Sequence, residues 1–85
     1  MNTQFELYST WGCHLCEQAE QMVQQTDMAD RFQVKDIVDH PALFDQYRLL
    51  IPVLACVDTG ETLGWPFDKA QLEAWLQQCV SKDPK

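Results

Sequence analysis

Positive charge is scarce in this 85-residue chain, with six Lys and Arg against thirteen Asp and Glu and a net charge of −7. A surface of that sign attracts neither a phosphate backbone nor an anionic bilayer, so nucleic acid and membrane are excluded as expected partners. Long apolar runs are missing as well; nothing approaches the ~20 residues a membrane-spanning helix needs. The opening Met1-Asn2-Thr3-Gln4 has no basic segment and leads straight into strand-like sequence, so no secretory leader is expected and a cytoplasmic, reducing setting is the default. Repeats and low-complexity segments are absent too. A chain of this length and composition supports one core, hence a single domain over 1–85 that acts as a monomer, with 81–85 as a flexible tail.

A second closely spaced cysteine pair is also lacking. Of Cys13, Cys16, Cys56 and Cys79, only the first two form a C-x-x-C. A tetrahedral zinc site built on such a pair needs another at matched spacing, and His14, lying between the two cysteines, is badly placed to share one ion with both. No metal site is therefore expected. Cys56 and Cys79 fall within apolar patterns and read as core residues, because a buried thiol behaves as a small hydrophobe.

The chain is organised around Trp11-Gly12-Cys13-His14-Leu15-Cys16. Before it, Phe5 and Leu7 alternate with Gln4 and Glu6, the period-2 signature of a strand. After it, Leu15, Cys16, Ala19, Met22 and Val23 recur at helical spacing, with Glu and Gln residues opposite. The cysteines therefore open a helix, where unpaired backbone N–H groups and the positive end of the macrodipole stabilise a thiolate. Cysteine pKa values fall from ~8.5 toward ~3.5–7.5 in such places, and Cys13, nearer the helix start, gains most. A fall of ~2 units raises the thiolate fraction at pH 7 roughly 25-fold while intrinsic nucleophilicity drops roughly 8-fold, so the larger benefit is as a leaving group. Cys13 is the expected nucleophile and Cys16 the resolving thiol.

Further along, Arg31–Val38 reads as a second strand, parallel to the first across a βαβ crossover. Asp39 or His40 with Pro41 starts a short second helix, running to about Leu49 with Leu43, Phe44 and Tyr47 on its buried side. Val53–Val57 is continuously apolar, as for a strand covered on both faces. Turn residues Asp58–Glu61 precede a hairpin return over Thr62–Trp65. Asp68 and Gln71 then form a capping-box pattern ahead of a third helix, whose apolar stripe is Leu72, Trp75, Leu76, Cys79 and Val80.

The order β-α-β-α-β-β-α, with C-x-x-C at the first strand-to-helix junction and Ile51-Pro52 before the third strand, resembles the glutaredoxin branch of the thioredoxin fold. Gly12-Cys13-His14-Leu15-Cys16 and Pro66-Phe67-Asp68 are most similar to a small family of uncharacterised glutaredoxin-like proteins. The resemblance implies an α/β fold with a four-stranded mixed sheet flanked by three helices. It implies that Cys13 attacks and Cys16 resolves, and that a cis Pro52 faces the dithiol and leaves backbone groups free for a substrate chain. The chain departs from glutaredoxins in having His14 and Leu15 where a proline and tyrosine are usual. Gly64-Trp65-Pro66-Phe67-Asp68 also keeps one glycine and one acid of the segment that holds glutathione. From thioredoxins it departs in the placing of Trp11, one residue before Gly12, and in having Leu7 six residues ahead of Cys13 where that family carries an acid.

The expected activity is thiol-disulfide exchange with protein disulfides, or else glutathione disulfides, in cell redox homeostasis, with Cys13 and Cys16 catalytic. Trp11, Gly12, His14, Leu15, Ile51, Pro52 and Trp65 are the expected substrate-binding residues. No resident cofactor is expected, only an external electron donor such as glutathione or a thioredoxin reductase system; glutathione itself should bind poorly. Alternatives of a different class are an iron–sulfur or metal carrier using Cys13 and Cys16 across a dimer, and a redox-inactive interaction module.

Overall fold

The computed structural model describes residues 3–81. The leader reading falls partly on 1–2 and the tail reading on 82–85, outside the described residues. The elements follow as β1 (Phe5–Ser9), α1 (His14–Gln24), β2 (Phe32–Asp36), α2 (Pro41–Tyr47), β3 (Val53–Cys56), β4 (Thr62–Gly64) and α3 (Lys69–Ser81), with short 3-10 turns at Ala29–Arg31 and Ile37–Asp39. The sheet order is β2-β1-β3-β4; β1 and β2 are parallel and the other pairings antiparallel. This is an α/β architecture of the thioredoxin-like class.

Alternation sorts the sheet into two faces. Phe5 and Leu7 of β1, with Leu54 and Cys56 of β3, pack under Ala19 and Val23 of α1 and Leu72, Trp75, Leu76 and Cys79 of α3. Tyr8, Val53 and Ala55 point the other way, joining Ile37 and the half-buried Leu43, Tyr47 and Ile51. Residues 53 to 56 are all buried, as an inner strand covered on both faces requires. Each fully buried Leu or Phe contributes roughly 1.5–3 kcal/mol relative to exposure, so the larger α1/α3 face carries most of the apolar stabilisation. The capping box at α3 is closed reciprocally: Gln71 N–H donates to Asp68 Oδ1 at 2.7 Å, and Asp68 N–H to Gln71 Oε1 at 2.9 Å.

Several boundaries differ from the sequence reading, each for a local reason. β2 stops at Asp36 because that side chain accepts the Val38 N–H at 3.0 Å and turns Ile37 and Val38 into a 3-10 turn. α2 ends at Tyr47, not near Leu49: beyond it the Leu50 N–H bonds the Tyr47 carbonyl three residues back at 2.8 Å, a tightened turn that leads into Ile51, which precedes a proline and is biased out of the helical region. Leu49 is consequently 84 % exposed. A helix of one stripe covers little, so Leu43 and Tyr47, at i and i+4, turn inward while Phe44 stays exposed. Leu15 likewise falls outside the α1 stripe of Cys16, Ala19 and Val23, being about 100° around the helix from Cys16, and it is exposed.

Candidate active site

Thr10 to Cys13 form the turn from β1 into α1. Cys13 N–H donates to the Thr10 carbonyl at 3.3 Å, and Gly12 adopts φ +81°. That left-handed value is the one the third residue of a type II turn requires. A Cβ added there meets nothing within 4 Å, so the demand for glycine is conformational, not spatial.

Cys13 is the N-cap of α1. Its backbone is extended, its carbonyl accepts the Glu17 N–H at 3.1 Å, and its Sγ accepts the Cys16 N–H at 3.1 Å. Sulfur thus occupies the place where a Ser or Asp oxygen usually caps a helix. Negative charge on this atom is favoured by the donated N–H and by the dipole. Cys13 is half-buried and Cys16, one turn on, is buried. Their Cα atoms are 5.2 Å apart and their Sγ atoms lie at disulfide-bonding distance. The two sulfurs are close enough for a disulfide to join them.

Around the pair is a surface recess of about 280 Å³, lined by Ser9, Thr10, Trp11, Gly12, Cys13, Cys16, Glu17 and Glu20. Of the expected binding residues, the recess gathers Trp11 and Gly12 to the cysteines and leaves out His14, Leu15, Ile51, Pro52 and Trp65. Trp11 stands 92 % exposed. The His14 side chain points to solvent, its Nδ1 3.8 Å from Glu17 Oε1. From the sequence, Glu17 and Glu20 read only as the polar side of an amphipathic helix. The signal was their spacing, each four residues beyond a cysteine and so on its face.

The Ile51–Pro52 bond is cis and Pro52 is buried. The register pairs Tyr8 with Val53, so Pro52 sits at the end of the sheet from which the Thr10–Cys13 turn departs. The backbone around it is not free as the resemblance implied. Ile51 N–H donates to the Tyr47 carbonyl at 3.1 Å, and the Pro52 carbonyl accepts the Trp65 N–H at 3.1 Å. The cause is the short α2, whose terminal carbonyls need donors and take the nearest one. Of the Ile51 and Pro52 backbone groups, the Ile51 carbonyl alone makes no backbone hydrogen bond among the described residues. Trp65 is half-buried against the α1/α3 core and edge-on to Phe67, ring centres 5.0 Å apart.

Cys56 and Cys79 are core residues, as expected, at the opposite end of the sheet, where Cys56 pairs with Phe5. Burial first, then the Cys56 thiol and Glu61, pushes the Cys79 thiol up to about 12. Among the described residues, no group of three or more His, Cys, Asp or Glu is placed to hold a metal ion. Nor is any helix among them long and apolar enough to cross a membrane.

The glutaredoxin-like domain (DUF836) family model matches residues 4–77. The chain belongs to that family. Among solved structures, this glutaredoxin-like domain is similar to the protein XcR50 from X. campestris. Its X-ray structure is 36% identical over 87% of this chain and 96% of that one, with TM-score 0.72. Its solution structure gives 40% identity over 88% and 94%, with TM-score 0.75. The solution structure of Ne2328 from Nitrosomonas europaea is 27% identical over 88% and 92%, with TM-score 0.67. No curated protein matches the chain. A glutaredoxin-like domain with a cysteine pair at disulfide distance is consistent with a redox role.

Proposed function

We propose that this glutaredoxin-like domain is a thiol-disulfide oxidoreductase acting on protein disulfides in preference to glutathione mixed disulfides. The observation that carries the reading is the capping geometry: the Sγ of half-buried Cys13 receives the Cys16 N–H at the head of α1 while Cys16 itself is buried. In the reduced form the Cys13 thiolate attacks one sulfur of a substrate disulfide. The substrate S–S bond breaks, its other sulfur leaves as a thiolate and takes a proton from water, and Cys13 is left in a mixed disulfide. Cys16, having lost its proton to solvent, attacks Cys13 Sγ and expels the second substrate thiolate. Two electrons pass from dithiol to substrate, and an external donor, glutathione or a thioredoxin reductase system, restores the dithiol. The domain acts as a monomer in the reducing cytoplasm, in cell redox homeostasis.

Preference against glutathione is supported by the charge around the cysteines. Lys and Arg are absent from the recess lining while Glu17 and Glu20 are present, so the tripeptide's carboxylates meet no local cation there. The test compares reduction of insulin, driven by dithiothreitol, with turnover of a glutathionylated peptide, driven by glutathione and its reductase. Saturable activity on insulin with weak glutathione-linked turnover is expected. Efficient saturable activity in the glutathione assay alone overturns the preference, and inactivity in both overturns the oxidoreductase reading.

A further inference from the structure

We propose that Glu17 and Glu20 make the dithiol recess selective for substrate disulfides whose cysteine is flanked by Lys or Arg. The inference rests on the oxidoreductase reading above and specifies the substrate class of the same site. Glu17 lies four residues beyond Cys13 and Glu20 four beyond Cys16, so each carboxylate shares a helix face with one sulfur at a Cβ separation of ~5–6 Å. Both line the recess, together with Trp11 and Gly12. His14 is the one group of opposite potential facing Glu17, and Glu20 has no ion-pair partner among the described residues.

A substrate sulfur that reaches Cys13 carries its neighbouring side chains to within roughly 10 Å of both carboxylates, about one Debye length at physiological salt (~8 Å) and well inside one at low salt (~30 Å at ~0.01 M). There a basic neighbour is attracted and an acidic one repelled. Trp11, 92 % exposed at the mouth of the recess, adds an aromatic face on which a guanidinium or the stem of a lysine can lie. The chemistry is the two-electron exchange already described. What the acids change is the association of the disulfide with Cys13, so selectivity appears in kcat/KM at limiting substrate.

The experiment uses the full chain, kept turning over with dithiothreitol, and three peptide disulfides that differ only in having Lys, Ser or Glu beside the cysteine. Each rate is divided by the rate with dithiothreitol alone, so intrinsic differences between the peptides cancel. The lysine peptide should exceed the glutamate peptide by roughly tenfold in kcat/KM at low salt and by about twofold or less at ~1 M, where the Debye length is ~3 Å. Glu17→Gln with Glu20→Gln should flatten the series, and Glu17→Lys with Glu20→Lys should invert it. Equal rates for the three peptides, or a preference that survives the double glutamine variant or high salt, overturns the inference and leaves the oxidoreductase reading standing. Inactivity toward every peptide overturns both.

Discussion

Cys13 and Cys16 lie where β1 gives way to α1, while Cys56 and Cys79 lie at the other end of the same sheet, on β3 and α3. Both pairs bring two sulfurs together in a small protein, and they meet opposite surroundings. The first has the sulfur of a half-buried residue on a helix N-terminus, receiving an N–H. The second has its sulfurs packed among Phe5, Leu72 and Leu76, with a nearby carboxylate at 3.9 Å from Cys79. A helix start favours the thiolate, and an apolar core with a neighbouring acid favours the thiol. Backbone position thus sets the two pairs apart: one end offers a sulfur placed where a thiolate is favoured, and the other uses the same residue type as packing.

The sharpest way to break this contrast is to remove one sulfur from each pair. Cys13→Ser is expected to lower disulfide exchange at least about a thousandfold, since a hydroxyl cannot take part in exchange. Stability of the reduced form should hardly change, because serine caps a helix well. Cys79→Ala should do the reverse, costing about 1–2 kcal/mol in denaturant unfolding while leaving exchange within a few-fold. Mass spectrometry after iodoacetamide treatment of the reduced wild type supplies a second readout: Cys13 should titrate well below ~8.5, and Cys79 should stay unmodified until the chain unfolds. Fast labelling of Cys79, or loss of exchange in Cys79→Ala, would show that the second pair is not mere packing.

Much of this contrast is legible in the sequence. A strand followed directly by a helix-periodic run fixes Cys13 at the helix start, and the Asp68/Gln71 spacing announces a capping box that closes in both directions. The uniformly apolar Val53–Cys56 run reads correctly as an inner strand. Other features are not legible, because they depend on what a neighbour leaves unsatisfied. That Ile51 N–H is taken by Tyr47 follows from the early end of α2, which a list of propensities over Leu49 and Leu50 does not reveal. That Leu15 is exposed depends on where the stripe of α1 meets the sheet. Glu17 and Glu20 look like ordinary solvated residues until the turn at Gly12 brings the recess around them.

High pH probes the buried end more gently. Cys79 is raised from 9.0 to about 12, by burial first and then by Cys56 and Glu61. Tyr8, on the opposite face, is raised from 10.0 to about 12, by burial and then by Glu6, whose Oε1 accepts its hydroxyl at 2.9 Å. In both cases the folded state holds its proton more tightly than the unfolded state. The resulting stability is fully present below about pH 9 and is lost as pH rises from the unfolded values through about 12. Denaturant midpoints measured from pH 8 to 11.5 should therefore decline, and the decline should be shallower in Cys79→Ala. A Cys79→Ala curve parallel to the wild type would mean that this thiol is not held protonated by the fold.

The smallest effect sharpens the comparison furthest, because a matched glycine stands beside each pair. Gly12 has φ +81° and precedes Cys13; Gly60 has φ +79°, and its N–H donates to the Cys56 carbonyl at 2.8 Å. An added Cβ at either position meets nothing within 4 Å, so alanine pays only for the left-handed backbone. That cost is roughly 1–2 kcal/mol, and it should be similar for Gly12→Ala and Gly60→Ala in unfolding experiments. The sulfur chemistry should separate them. At Gly12 the strain is relieved by shifting the turn that sets Cys13 on the helix N-terminus, which weakens its capping contact and raises its thiol pKa. At Gly60 the shift falls on a turn at the far end of the sheet. Alkylation of Cys13 across pH should accordingly move to higher pH in Gly12→Ala and stay at the wild-type position in Gly60→Ala. Equal Cys13 titrations in both variants would mean that the turn does not govern the cap, and that the helix start alone sets the reactivity of the sulfur.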